Sequence, residues 1–371
     1  MTDRTLSALA EKIEAGERLT FEDGMALSAA EDLLALGRLA NRARERRWGD
    51  QAFYTINLHI NPTNSCFASC RFCAFGRRAF DDKSYIRKPE EIVERARRLL
   101  PPGGCEIHLV GGLDPRLKLD YYCAYLRALK SAFPGVHLKT LTPVEVVFIA
   151  QVSKCTVREA LERLRAAGMD SMPGGGAEIF DPEIRRQLCA HKCDTEAWFE
   201  VHRMLHEMGV PSNCTMLYGH IESARHRVDH LLRLRAHQDQ WKGFQCFVPL
   251  AFHPANTELA HLPGPSAVLD LKTIAVARLL LDNIPHIKAY WISLGLKTAQ
   301  TALWFGADDI DGTVIHEEVH HDAGADSPRG VDEQRLRELV TEAGRRPVRR
   351  DALYHTQESA APPPASISKT E

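Results

Sequence analysis

A chain of 371 residues with a formal charge of −2 is long enough to bury a large core, and its ten cysteines are too sparse for a disulfide scaffold. Acidic and basic residues are interleaved, and no Lys/Arg block is accompanied by aromatics, so nothing in the composition supports nucleic-acid binding. No apolar run reaches secretory or membrane-spanning length, which points to a cytoplasmic protein without a membrane span.

Residues 1–50 read as an N-terminal helical extension. Its densest basic stretch, Asn41-Arg42-Ala43-Arg44-Glu45-Arg46-Arg47, ends an amphipathic helix, where cations suit the negative end of the helix dipole. A strand is expected over 56–60, followed by a helix from Pro89. Proline fits the first helical position there, Glu90 and Glu91 complement the positive N-terminus, and Ile92, Ala96 and Leu99 form one apolar face. A strand over 106–110 is closed by Gly111-Gly112, a helix begins near Asp120, and a strand follows over 136–141. Thr156 and Glu159 make a capping box for a helix reaching Ala167, with Gly168 as its stop. A strand over 169–172 runs into Pro173-Gly174-Gly175-Gly176. The helix from Thr195 carries Trp198, Val201, Leu205 and Met208 on one stripe and stops at Gly209-Val210-Pro211. Strands over 213–217, 244–250 and 287–292 alternate with helices over 228–236 and 269–282.

Strand and helix repeated six to eight times means a parallel sheet, and so many units favour a (β/α) TIM-like barrel over an open sheet. The expected organisation is a barrel over 51–320, a short C-terminal extension over 321–356 and a disordered tail over 357–371. Barrel sites form at the C-terminal ends of strands. The loop after the first strand, Gly111-Gly112, the 173–178 loop and Gly219-His220 all fall there.

The most informative of these loops holds Cys66, Cys70 and Cys73 in a CxxxCxxC pattern, with no fourth cysteine nearby. A cubane [4Fe–4S] cluster normally takes four thiolates; three leave one iron open for chemistry. Structural zinc is the competing reading, although zinc ligands usually come from two chain segments. The remaining cysteines (Cys105, Cys123, Cys155, Cys189, Cys193, Cys214 and Cys246) read mostly as small buried hydrophobes, with a secondary metal reading for His191-Lys192-Cys193.

The cysteine loop, with Phe72 before its third cysteine, resembles the signature of the radical S-adenosylmethionine superfamily. The resemblance implies that the open iron chelates the amino and carboxylate groups of S-adenosylmethionine, and that reductive cleavage yields methionine and a 5′-deoxyadenosyl radical. It also implies that Phe72 packs near the adenine, that Gly111 and Gly112 let the backbone approach the methionine amino group, and that Glu178 accepts from the ribose hydroxyls. Ordinary loop packing, a strand-ending turn and a solvated helix start are the respective alternatives. The segments 59–64, 173–179 and 216–222 resemble the menaquinone/deazaflavin branch. Within it, 281–295, 305–313 and 343–354 resemble the aminofutalosine synthases, so the likeness runs from about Phe53 to Tyr354. Ser65 and His316 depart from the pattern without touching the cysteines.

This family implies 3-[(1-carboxyvinyl)oxy]benzoate as substrate and a reducing electron donor such as flavodoxin or ferredoxin. The radical adds to the enol-ether double bond; rearrangement and loss of carboxylate as bicarbonate then give 6-amino-6-deoxyfutalosine. A dianionic aromatic substrate asks for cations, hydrogen-bond donors and an apolar wall. Candidates are His59, His220 and Tyr290, with His253 and Lys288 beside them, each lone histidine having a core role as its alternative. Asp308-Asp309-Ile310-Asp311 lacks EF-hand spacing and reads as helix capping or support. Sister enzymes, the cyclic dehypoxanthine futalosine synthases and a deazaflavin synthase subunit, are the alternative function; a non-catalytic metal-binding protein is a remote one.

Overall fold

The computed structural model describes residues 3–356; the tail expected over 357–371 lies outside the described residues. Its strands are β1 (Gln51–Thr55), β2 (Asn57–Ile60), β3 (Glu106–Leu109), β4 (His137–Thr140), β5 (Ser212–Tyr218), β6 (Phe244–Ala251), β7 (His286–Ile287), β8 (Asp309–Gly312) and β9 (Arg346–Arg349). All strand pairings are parallel. Three short ladders, β2-β3-β4, β5-β6-β7 and β8-β1-β9, are joined into a ring by single bridges. Lys139 meets Ser171, Met172 meets Ser212, Lys288 meets Asp309, and Ile315 returns to Leu58. Residues 171–172 thus occupy the place between β4 and β5, and the ring closes as an eight-membered (β/α) barrel, the fold expected from the sequence. β1 continues into β2 across Ile56, and β9 adds to the other edge of β1, tying the C-terminal segment to the barrel's N-terminal end.

The first βα unit follows its local signals. Pro89 opens the helix Pro89–Leu99, which buries Ile92, Val93 and Ala96. Thr156 and Glu159 close a capping box on Val157–Ala167, and Gly168 ends it in the left-handed region. Three N-terminal helices, Asp3–Ala15, Phe21–Ser28 and Leu33–Trp48, pack outside the barrel, with Leu36, Leu39 and Ala40 in the core. The basic run does end Leu33–Trp48. Arg44 is fully buried and donates to the carbonyls of Gly49 and Gln51, while Arg47 donates to those of Ile284 and Asp282.

One strand expectation is corrected. Of residues 287–292, only the start is extended, and Trp291–Leu294 turns helical, with the Trp291 indole donating to Gly312 O at 2.9 Å. This run is buried on all sides, and with only Lys288 interrupting its apolar residues it carries no clear period to separate strand from helix.

The barrel's interior is polar on one side. Along β2, β3 and β4 the alternation sends Leu58, Ile60, Ile107, Leu109 and Leu138 outward into the helix layer. His59, Glu106, His108 and Lys139 point inward, with His59, His108 and Lys139 side by side in register. Interiors of such barrels are usually packed with branched aliphatics; polar groups here mark space for a ligand. The acidic run forms β8 and its edge rather than a helix cap. Asp308 pairs with Arg278 and with His286 (2.6 Å), Asp309 with Arg350 (2.5 Å) and Asp311 with Lys288 (3.1 Å), all buried.

Candidate active site

The cysteine loop, residues 61–88, is shaped by polar residues at its neck. Asn61 Nδ2 donates to Val110 O (2.9 Å), Thr63 Oγ1 to Tyr85 O (2.6 Å) and Asn64 Nδ2 to Lys83 O (3.0 Å). The backbone closes the neck through Cys66 N–H to Arg77 O (2.7 Å) and Arg77 N–H to Asn64 O (2.8 Å). Of residues 59–64, singled out by resemblance, the part beyond β2 (61–64) is therefore the hydrogen-bonded collar of the loop.

All three cysteines are free and line one cavity of about 300 Å³ that runs down into the barrel. The sulfurs of Cys66 and Cys73 each lie 3.9 Å from where a Cβ on Gly76 would stand. Backbone N–H groups of Ala68 and Gly76 point at these sulfurs at 3.4 and 3.5 Å, and such donors tune cluster thiolates. Burial pushes the Cys70 thiol up to about 12 and Cys73 upward, so a bound metal must displace the protons. Among the described residues, no three His, Cys, Asp or Glu side chains converge on a single-ion position. Three thiols lining one space, with no fourth cysteine among them, are the donor set of a [4Fe–4S] cluster with one open iron. The same cysteines border an outer hollow with Ser69, Arg77 and Arg78, so the loop stands between the cavity and this hollow.

Two glycine turns pack backbone on backbone at this end. A Cβ on Gly112 would stand 2.7 Å from the Ser65 carbonyl carbon and closer still to its oxygen, while Gly112 N–H donates to Thr63 O at 2.8 Å. A Cβ on Gly174 would meet Asn213 O at 2.5 Å. No side chain fits either place. Glu178, at the end of the second turn, holds a φ of +47° that few non-glycine residues adopt; Leu217 N–H donates to its carbonyl at 3.0 Å. Lys192 Nζ donates to Glu178 Oε1 at 2.6 Å and lies 5.1 Å from the Phe72 ring centre. Arg185 clamps this region, donating to Ala177 O and Cys193 O, both at 2.6 Å.

Glu145 joins the two turns. It belongs to the capping box of Pro143–Ser153, where its carboxylate accepts from Thr142 N–H (2.7 Å) and from Gly111 N–H (2.9 Å). Burial pushes its pKa up to about 7, against the lowering effect of those donors.

At the other end the cavity meets a charged floor. Lys139 Nζ pairs with Glu106 at 2.6 Å, and Lys288 with Asp311 at 3.1 Å. The His59 and His108 rings lie 4.4 Å apart, and burial lowers both pKa values, keeping them neutral. Among the described residues His59 Nε2 is buried without a hydrogen-bond partner. The wall carries Val248, Leu250, Phe252 and Tyr290. A rim segment adds Glu317, which binds His320 Nδ1 at 3.2 Å and His321 Nδ1 at 3.1 Å.

Of the residues singled out by sequence, Cys66, Cys70, Cys73, Phe72, Gly111, Gly112, Glu178, His59, His253, Lys288 and Tyr290 line this cavity. His220 does not. Its ring is fully buried in its own turn, with Nε2 donating to Leu217 O (3.0 Å) and Nδ1 accepting from Ile221 N–H (2.7 Å). That corrects its candidacy. The His191-Lys192-Cys193 stretch delivers Lys192 to Glu178. Sequence reading missed Glu145, His108, Lys139 and the Glu317–His320 pair. The signals were there in part: Thr142-x-x-Glu145 is a capping box, and His108 and Lys139 sit at alternate strand positions.

Residues 60–234 match the Radical SAM superfamily and residues 241–362 the CofH/MqnC C-terminal region. The aminodeoxyfutalosine synthase of Thermus thermophilus is 44% identical over 95% of this chain and 96% of its own length. A 5-amino-6-(D-ribitylamino)uracil–L-tyrosine 4-hydroxyphenyl transferase of Methanopyrus kandleri is 40% identical over 90% of this chain and 92% of its own. The crystal structure of methylornithine synthase matches with a TM-score of 0.74 at 20% identity, covering 92% of this chain and 97% of that one, a likeness of fold alone. The chain therefore belongs to the radical S-adenosylmethionine superfamily, in the branch of the aminodeoxyfutalosine synthases, and is an enzyme that works with a [4Fe–4S] cluster and S-adenosylmethionine.

Proposed function

We propose that this enzyme joins S-adenosylmethionine, 3-[(1-carboxyvinyl)oxy]benzoate and water to give 6-amino-6-deoxyfutalosine, methionine and bicarbonate, a step of menaquinone biosynthesis. When bound, the cluster and S-adenosylmethionine supply a 5′-deoxyadenosyl radical, which on this reading adds to the enol-ether double bond; the adenosyl group stays in the product. The observation that carries the reading is the two-ended lining of one cavity in a chain 44% identical to an aminodeoxyfutalosine synthase. Thiols and two glycine turns lie at one end, buried lysines and histidines at the other, and an aliphatic and aromatic wall lies between.

In this reading Cys66, Cys70 and Cys73 hold the cluster, and Gly111 and Gly112 admit the methionine moiety. Lys192 meets its carboxylate, while Phe72 and Glu178 serve the adenosine. The two carboxylates of the substrate take hydrogen bonds from the floor and wall, where His59, Lys139, Lys288 and Tyr290 are the donors within the cavity; charge-assisted bonds of this kind are the strong ones. The aryl ring packs on Val248, Leu250 and Tyr290. The cavity walls keep water from the radical.

An electron donor of the flavodoxin or ferredoxin kind is part of the proposal, reaching the cluster from the outer side of the cysteine loop. Among the described residues no helix is long and apolar enough to cross a membrane. The test is a panel of anaerobic incubations with S-adenosylmethionine and reductant. Turnover is expected with the enolpyruvyl benzoate, and none with tyrosine plus 5-amino-6-(D-ribitylamino)uracil. The reverse pattern would assign the chain to the transferases represented by the Methanopyrus kandleri relative.

A further inference from the structure

Five acids line the cavity, and four of them have a cationic or imidazole partner. Glu106 has Lys139, Glu178 has Lys192, Asp311 has Lys288, and Glu317 has His320 and His321. Glu145 makes no ion pair among the described residues. It is 3% exposed, and its carboxylate is held by two backbone N–H groups, one on each oxygen. Even with the Thr142 side chain as a further partner, about one of a carboxylate's four lone-pair sites stays unused. A buried acid in this condition is costly to the free protein and is retained where a ligand completes it.

Its position says which part of the ligand that is. Gly111 N–H binds Glu145, and the adjoining Gly112 abuts the backbone of Asn64 and Ser65, immediately before Cys66. From the other side, a Cβ on Gly175 would meet Thr142 Cγ2 at 2.9 Å, so the second glycine turn rests on the same helix start. Glu145 therefore faces the cysteine end of the cavity, where the methionine moiety is read to lie, and not the floor. An amino group drawn to a metal keeps two N–H bonds, made more acidic by the metal, and each needs an acceptor in a site closed to water.

Resting on the reading of this cavity as the S-adenosylmethionine site, we propose that Glu145 is a positioning residue that accepts a hydrogen bond from the amino group of S-adenosylmethionine. It couples that contact, through Gly111, to the loop carrying the cysteines. The test is equilibrium binding to the anaerobically reconstituted holoenzyme without reductant. The probes are S-adenosylmethionine, S-adenosylhomocysteine (amino acid kept, sulfonium lost) and methylthioadenosine (amino acid lost). Glu145→Gln keeps size and shape; Glu145→Asp keeps the charge with a shorter reach and serves as the variant of record if the first fails to load iron.

The expected result is a loss of about tenfold for both amino-acid-bearing ligands, the value of a charged acceptor over a neutral one. Methylthioadenosine should change by less than twofold, and iron content should stay at the wild-type level. Equal weakening of all three ligands would overturn the proposal, because it would make Glu145 only a brace for the loops. Weakening of S-adenosylmethionine alone would also overturn it, assigning Glu145 to the sulfonium. If the wild-type enzyme binds no S-adenosylmethionine, it is the functional reading itself that falls.

Discussion

Replacing Gly112 by alanine should separate the cysteine loop from the rest of the fold. The added Cβ would stand 2.7 Å from the Ser65 carbonyl carbon and 3.0 Å from the Asn64 carbonyl carbon, whereas ordinary contact begins near 3.4 Å. Backbone is the obstacle, so no rotamer relieves it. The stretch before Cys66 must retreat by about 1 Å to clear the still nearer Ser65 oxygen, or the turn after β3 must shift and strain the Gly112 N–H bond to Thr63 O. Overpacking of this kind costs roughly 1–3 kcal/mol, which in a chain of this size lowers Tm by less than about 10 °C. Misplacing reacting groups by an ångström costs about 10²-fold in rate. The variant should therefore remain folded while losing most of its turnover and part of its iron. Circular dichroism melting, iron and sulfide content after anaerobic reconstitution, and single-turnover product formation measure the three effects. Gly135→Ala is the control, since a Cβ there meets nothing within 4 Å. A Gly112→Ala enzyme with full iron and wild-type turnover would refute the argument that this glycine exists to seat the loop.

Other outcomes follow from the same geometry. Cys70→Ala should abolish cluster loading and turnover with Tm changed by a few degrees at most, because Cys70 packs only at the margin of the core, in a segment that forms no helix or strand; general unfolding by circular dichroism would argue for a structural metal. Lys139→Met strands the buried Glu106 carboxylate, and denaturant titration should show a loss of about 3–5 kcal/mol; a loss under 1 kcal/mol would mean the pair is not desolvated. Burial lowers the pKa values of His206 to about 3 and of His237 to about 4, where their rings pack on Phe244. The unfolded chain then binds more protons than the folded one, so stability is full above about pH 6.5 and falls progressively toward pH 4, by about 2 kcal/mol per histidine at pH 5. Tm measured from pH 7.5 to 5 should drop steeply in the wild type and less in His237→Phe; parallel curves would contradict the assignment.

What was legible in the sequence was what is local. Cys66, Cys70 and Cys73 lie within one loop, so their spacing announced the cluster. Thr156 with Glu159, and Pro89 with its acidic neighbours, signalled helix starts through contacts one turn long. The repeat of strand and helix was enough for the barrel, and the closing bridges then followed from its parallel order. What escaped needed partners from different βα units. Lys192 reaches back fourteen positions to Glu178, and Glu145 reaches Gly111 across a strand. Asp308, Asp309 and Asp311 find Arg278, Arg350 and Lys288 through the barrel wall. His220 misled for the opposite reason: it sits after a strand as a site residue would, yet its own turn satisfies both ring nitrogens.

The central claim is that the adenosyl group is consumed into product and not spent on hydrogen abstraction. The most direct measurement is the fate of S-adenosylmethionine labelled with ¹³C in its adenosyl group, incubated anaerobically with enzyme, reductant and 3-[(1-carboxyvinyl)oxy]benzoate and followed by mass spectrometry. The expected result is one equivalent of methionine released per labelled product that carries both the adenosyl and the aryl carboxylate portions. Stoichiometric free 5′-deoxyadenosine with no adenosyl-containing product would contradict it.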